Sequence, residues 1–499
     1  MATLFPSVFL SPAKTRKHHF SLLRSRSTLS FINSLSSSES NPLPSSVRAL
    51  WDWFSKEGVI SSKTPVKPGV VPEGLGLIAT RDIAENDVIL EVPRRFWVNP
   101  DTVEYSEIGK VCDGLNPWVS VALFLVREKL REDSKWKIYL DVLPETTDAT
   151  IFWSDEELSE LEGTQLLCTT LSVKEYVQME FMKAEAEIII PNRQLFPSAI
   201  TLNDFFWAFG ILRSRAFSRL QGQNLVVIPL IDLINHSAGI TSEDHIHERT
   251  GPAGLFSWDL LFSLRTTVSV TAGEQVKCPK SSNASVKMMF IKVVFIQYGL
   301  KKTNSELALD YGFIESTPHR NAYSLTLEVP CSDPFFRDKL DITKLNGLDE
   351  TTDFEILLGH PLPPKMLPFL RLIALGGTDA FLLDPSLRNS VWGCLEFPVS
   401  HANEKIICNV VRDACKYALS CYPTTIDEDE KLMTEGNLRP RLWIAVGIRS
   451  GEKKVLHQID GIFKERELKL DQLEYYKERM LKELCQVGEK GESIPSESK

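Results

Sequence analysis

The run Leu225-Val226-Val227-Ile228-Pro229-Leu230-Ile231-Asp232-Leu233-Ile234-Asn235-His236-Ser237 decides how this chain is read. A largely apolar stretch, Leu225 to Ile234, stops abruptly at three polar residues. Such a stretch predicts a buried strand. A strand ending this way delivers Asn235, His236 and Ser237 to a site as hydrogen-bonding groups. A strand followed by an ordinary Asx or Ser turn has the same pattern, so the surroundings must decide.

Immediately upstream, Thr201-Leu202-Asn203 caps a predicted helix, Asp204–Leu220, with Phe205, Phe209 and Leu212 as its buried stripe. Arg215 and Arg219 fall on one face of it, either ion-paired in solvent or holding an anionic ligand group. Further back, Val70–Ala79 carries Gly74 and Gly76 on either side of Leu75, between two β-like runs. Glycine there permits a sharp turn or a close backbone approach to a ligand. No third glycine opens a helix after it, so this is no dinucleotide-binding fingerprint. Val88–Val92 reads as a strand stopped by Pro93.

From about 100 to 202 the pattern is helical, over Trp118–Lys129, Trp136–Leu143, Asp155–Leu166 and Val173–Ile190, with Ser154 as an N-cap. After Ser237 come predicted strands at Leu255–Leu264 and Thr267–Thr271, and a turn at Gly273-Glu274. Lys277–Val294 then continues no clear pattern. Strand character resumes at Phe295-Ile296-Gln297-Tyr298, a helical turn follows at Asn304–Leu309, and Asp310-Tyr311-Gly312-Phe313 closes the region. Beyond it lie a strand, Tyr323–Val329, and helices at Leu367–Leu375, His401–Cys421 and about Leu442–Leu484. The acidic stretch Asp427–Glu430 reads as a solvated loop between helices, or as a contact for a basic partner.

Composition narrows the function classes. Charged residues make up 24% and apolar residues 43% of 499, the balance of a globular protein with a sizeable core. A net charge of −10 offers no broad basic field to phosphate, which argues against nucleic acid as a partner. The nine cysteines form no C-x-x-C pair, so neither a disulfide framework nor a zinc cluster is indicated. No apolar run approaches the ~20 residues that span a bilayer, and no membrane partner is expected. Residues 1–38 hold no Asp or Glu but carry Lys14, Arg16, Lys17, Arg24, Arg26 and many serines. That leader, about 1–45, resembles a plastid transit peptide, and the expected location is the chloroplast stroma.

Taken in order, Glu73-Gly74-Leu75-Gly76, Asn235-His236-Ser237, Gly273-Glu274-Gln275-Val276, Ile296-Gln297-Tyr298 and Asp310-Tyr311-Gly312-Phe313 resemble the motifs of SET-domain methyltransferases. The similarity is greatest to the plant Rubisco large-subunit lysine methyltransferase branch, through the helical insertion and the run Arg213–Arg219. The resemblance implies an α+β fold: a β-rich SET domain over 46–320 with a pseudoknot-like core and a helical insertion. A mostly α-helical substrate-binding domain over 321–485 and a disordered tail, 486–499, would follow.

It also implies S-adenosyl-L-methionine as methyl donor, with no metal. Glu73, Gly74, Leu75, Asn235 and His236 would bind this cofactor. Arg215 would lie near both cofactor and substrate, and Arg219 and Asp232 on the substrate side. Tyr298 would be the catalytic tyrosine, contacting substrate, and Tyr311 would line the lysine channel. His247 stands where relatives carry a substrate-contacting tyrosine. The implied reaction is protein-lysine N-methylation, up to trimethyllysine, on the Rubisco large subunit, fructose-bisphosphate aldolase or both. Two alternatives stay open: a histidine methyltransferase, from a related branch acting on actin, and a catalytically inactive binding module. The second arises because 277–294 interrupts the family sequence just before Tyr298, as a translated intron or a long loop would.

Overall fold

The computed structural model describes residues 43–72, 74–196, 198–217, 225–242, 246–252, 258–270 and 293–483. The leader before 43, the tail after 483, Glu73, Arg219 and 277–292 lie outside the described residues. The chain divides into two compact units, one comprising the chain up to Phe152 with Leu171–Lys302, the other Trp153–Thr170 with the chain from Thr303. The short Trp153–Thr170 segment thus clusters with the C-terminal part, although it lies in the middle of the helical block 100–202.

In the first unit, β1 (Val66–Val71) and β2 (Gly74–Ala79) form an antiparallel hairpin, and β3 is Val88–Pro93. β4 is the two-residue strand Asn235–His236, β5 Ile246–Pro252, β6 Trp258–Arg265 and β7 Val293–Ile296. One sheet runs β1-β2-β7-β4 and the other β3-β6-β5. β5 was not expected from the sequence. The helix Ser45–Lys56 buries Val47, Leu50 and Phe54, the apolar spacing that predicted it. The core gathers around the helices Pro117–Leu130 and Leu202–Arg215, with Trp97, Phe205 and Phe262 fully enclosed. Burying each such ring contributes about 1.5–3 kcal/mol.

Three expectations change here. Leu225–Ile234 is buried but is no strand. Val226 and Val227 make isolated bridges to Phe217 and Val98, and Ile231–Leu233 is a 3-10 turn. The polar pair Asn235-His236 is itself the strand. Apolar periodicity reports burial and leaves local geometry undetermined when every side is covered. The helix before it ends at Arg215, where Ala216 turns extended, short of the predicted Leu220. The last two residues of the 277–294 segment, Val293 and Val294, belong to β7 and pair with Ile78 and Leu77.

In the second unit, β8 (Ala322–Glu328) pairs antiparallel with β9 (Thr351–Leu357). Helices His401–Ser420 and Pro440–Leu468 pack through Ile407, Val411, Cys415, Val455, Ile459 and Phe463. The predicted helix from Leu442 to Leu484 is broken after Leu468 and resumes at Tyr476–Glu483. The amide of Tyr476 donates instead to the Val399 carbonyl at 3.2 Å, a tertiary bond that periodicity does not reveal. Asp427–Glu430 is not a solvated loop. It opens a helix, Ile426–Glu435, with Thr425 and Glu428 as a capping box. Carboxylates suit that end of the helix dipole, and Asp429 is buried against Arg449 and Lys453.

Candidate active site

Asp232, Asn235, His236 and Tyr298 converge in the first unit because β4 and β7 lie side by side. The two strands pair in parallel, Asn235 against Phe295 and His236 against Ile296, and the Ser237 amide donates to the Ile296 carbonyl at 3.1 Å. Two chain segments distant in sequence are thereby held in fixed register. The amide of Tyr298 donates to His236 Nδ1 at 3.2 Å. An imidazole nitrogen that accepts carries no proton, so this contact orients the ring with Nδ1 as the acceptor. The Tyr298 hydroxyl donates to the Ile234 carbonyl at 2.7 Å, and the His236 and Tyr298 rings are 5.3 Å apart. Burial pushes the Tyr298 phenol up to about 12, with the nearby Arg215 cation pulling against it.

The neighbouring hairpin is tied to this pair. Asn235 Nδ2 donates to the Leu75 carbonyl at 3.1 Å. Gly76 makes that approach possible, since a Cβ there would lie 2.9 Å from both Asn235 Nδ2 and Val71 Cγ2. Gly74 has φ +107, a left-handed value that favours glycine, and a Cβ there would meet nothing within 4 Å. The space beside Gly74 is therefore open to a close approach.

Asp232 enters from the 3-10 turn, behind Leu230, which holds φ +72 while fully buried. A non-glycine residue there stores about 1–3 kcal/mol of strain, retained where the surroundings over-determine it. Arg215 Nη1 donates to the Asp232 carbonyl at 2.8 Å and to its Oδ2 at 3.2 Å. The Tyr139 hydroxyl donates to the same Oδ2 at 2.8 Å. Burial raises the Asp232 carboxyl above its usual range, opposed by Arg215. Asp232 Oδ1 and Arg215 Nε are buried with no hydrogen-bond partner among the described residues. A carboxylate and a guanidinium that touch through other atoms thus each keep one buried polar atom unused, which suits a ligand bearing an amine and a carboxylate. No group of three His, Cys, Asp or Glu placed to hold a metal occurs among the described residues.

Of the residues singled out from sequence, the structure brings together Leu75, Arg215, Asp232, Asn235, His236 and Tyr298, with Gly74 at the hairpin turn. Glu73 and Arg219 lie outside the described residues. His247 is exposed on the edge strand β5, opposite Ser263, and takes no part in the hydrogen-bonded cluster among the described residues. Tyr311 belongs to the second unit, capping the helix Asn304–Asp310 with its ring 6.0 Å from Phe313. Sequence reading missed Tyr139 and the Ile234 carbonyl. Tyr139 sits in a helical pattern like any core aromatic, and nothing local marks its hydroxyl as Asp232's partner.

Comparison with known proteins gives a consistent picture. A family model described as Rubisco LSMT substrate-binding matches residues 330–456. The chain is 61% identical, over 98% of its length and 96% of the relative's, to a chloroplastic ribulose-1,5 bisphosphate carboxylase/oxygenase large subunit N-methyltransferase of Nicotiana tabacum. It is 58% identical, over 98% and 97%, to a chloroplastic [fructose-bisphosphate aldolase]-lysine N-methyltransferase of Arabidopsis thaliana. An actin-histidine N-methyltransferase of Homo sapiens is far more distant, at 24% identity over 77% of this chain and 63% of that protein. A crystal structure of the SET domain of LSMT bound to lysine and AdoHcy superposes with a TM-score of 0.82 at 59% identity, covering 90% of this chain and 98% of that one. The chain belongs to the SET-domain protein-lysine methyltransferases of the plant Rubisco large-subunit and aldolase branch.

Proposed function

We propose that this protein is a protein-lysine N-methyltransferase of the chloroplast stroma. It uses S-adenosyl-L-methionine to methylate the Rubisco large subunit, fructose-bisphosphate aldolase or both, up to trimethyllysine. Residues 46–320 form the catalytic SET domain, 321–485 the domain that docks the protein substrate, and 1–45 the transit peptide. The observation that carries the reading is the double anchoring of Tyr298, by its amide on His236 and its hydroxyl on Ile234, in a chain 61% identical to a large-subunit methyltransferase.

The cofactor supplies a methyl group already activated by a sulfonium, so what the protein must do is bind, orient and desolvate. Gly74, Leu75, Asn235 and His236 hold the cofactor, with Glu73, and Arg215 meets its carboxylate. The incoming lysine amine, ordinarily protonated below about 10.4, must arrive neutral. Burial and the Arg215 cation both favour that form. A phenol oxygen that donates to Ile234 retains acceptor capacity, and Tyr298 uses it to receive an N–H of the amine, aiming the nitrogen lone pair. The aromatic face of Tyr298 suits the growing methylammonium through cation–π attraction. Asp232, Arg219 and His247 complete the substrate side.

The test incubates the protein, with and without Lys277–Val294, with methyl-labelled cofactor and either purified Rubisco or aldolase, and maps the label by mass spectrometry. Label on lysine of either protein is the expected result. Label on histidine transfers the reading to the histidine-modifying branch. Cofactor binding without any label on either protein, from both forms, sinks the enzymatic reading.

A further inference from the structure

Asp232 has one oxygen hydrogen-bonded and the other buried with no hydrogen-bond partner among the described residues, and the group that decides which is which comes from a segment with no part in the family motifs. Tyr139 lies on the short helix Lys137–Leu140, 1% exposed, and its hydroxyl reaches Asp232 Oδ2 at 2.8 Å. Arg215 Nη1 contacts that same oxygen at the longer 3.2 Å, near the outer limit of an N–H···O bond. The backbone of Asp232 is held independently, by its own amide on the Ile228 carbonyl at 3.1 Å and by Arg215 on its carbonyl. What remains to be fixed is the rotation of the carboxylate, and the shorter contact from Tyr139 fixes it. We propose that Tyr139 is a positioning residue of the methyl-transfer site: by occupying Asp232 Oδ2 it turns Oδ1 toward the incoming substrate amine.

The inference rests on the reading of the chain as a lysine methyltransferase. A core tyrosine that only fills space would be replaced by phenylalanine without kinetic effect, since the ring and nearly all its volume survive. A tyrosine that holds a buried carboxylate would not, because removing one partner of a buried charged hydrogen bond leaves the other unsatisfied.

The experiment measures kcat and KM for the protein substrate in the full chain carrying Tyr139→Phe, Asp232→Asn, or both. Tyr139→Phe is expected to raise KM for the protein substrate about 10-fold with kcat within about 3-fold, the signature of lost ground-state binding. On the Asp232→Asn background the same substitution is expected to change KM less than about 2-fold, because residues acting through one another are not additive. Unchanged kinetics in Tyr139→Phe, or losses that multiply in the double variant, overturn the proposal. Where Tyr139→Phe does not fold, Tyr139→Gln carries the test. It keeps a donor, so KM near wild type supports the role, and KM raised as far as in Asp232→Asn refutes it. A wild-type protein that methylates neither Rubisco nor aldolase defeats the proposed function and this inference together, whereas an active wild type with indifferent variants defeats the inference alone.

Discussion

Two buried carboxylates, one in each unit, are built in opposite ways. Glu404 has no exposed side-chain surface and one arginine on each oxygen, Arg371 on Oε1 and Arg466 on Oε2. Arg371 is itself satisfied further by the Leu395 carbonyl at 2.7 Å. Asp232 is equally enclosed, yet Arg215 and Tyr139 crowd onto one oxygen and leave the other without a hydrogen-bond partner among the described residues. A fully used carboxylate is a fastener between helices. A half-used one keeps part of its desolvation penalty until a ligand arrives, and such groups mark sites of binding or chemistry.

The contrast can be broken most directly at the fastener. Glu404→Ala strands Arg371 and Arg466 beside each other, and the unfolding free energy should fall by about 3–5 kcal/mol in a denaturant titration. A loss below about 1 kcal/mol, the size of an exposed pair, would end the distinction. At the site the cost should fall on rate. Tyr298→Phe is expected to lower kcat for label transfer by about 10²-fold or more with little change in the denaturation midpoint. A variant that kept its rate and lost stability would make Tyr298 structural. Gly76→Ala pushes a Cβ against Asn235 Nδ2 and Val71 Cγ2, each at 2.9 Å. Cofactor affinity by calorimetry should weaken about 10-fold, roughly 1.4 kcal/mol, through the displaced hairpin. Affinity equal to wild type would show that the hairpin backbone does not touch the cofactor.

The smallest expected effect is an absence. Burial favours the neutral phenol of Tyr298 and carries its titration up to about 12. Its hydroxyl therefore stays protonated through the ordinary tyrosine range near 10. The kcat profile should rise with deprotonation of the substrate lysine and show no downturn from tyrosine ionisation between about pH 8 and 10. A downturn in that range that vanished in Tyr298→Phe would place the phenol in a wetter site than the structure shows.

Local signals were legible where the chemistry is local. The caps at Thr201 and Ser154 were read from side chains that bond amides three residues on, and both form capping boxes. The helix His401–Ser420 follows from its amphipathic spacing. Leu225–Ile234 misled because complete burial removes the alternation that separates strand from turn. Asp427–Glu430 misled because a run of acids looks solvated until Arg449 and Lys453 arrive from another helix. The strands β5 and β9 were missed, since polar residues such as His247, Glu248 and Arg249, or Asp353 and Glu355, mask strand character.

By itself the sequence determined the family: the glycine hairpin, Asn235-His236 and Tyr298 stand in an order that identifies the SET-domain methyltransferases. Only the tertiary structure decided how they are placed and bonded. The parallel pairing of β4 with β7 brings His236 to Tyr298, and the fold sets Arg215 and Tyr139 on a single oxygen of Asp232. The reason is physical. Residue type and spacing encode what a side chain is able to do, whereas the state of a buried charge depends on partners delivered by segments far away along the chain.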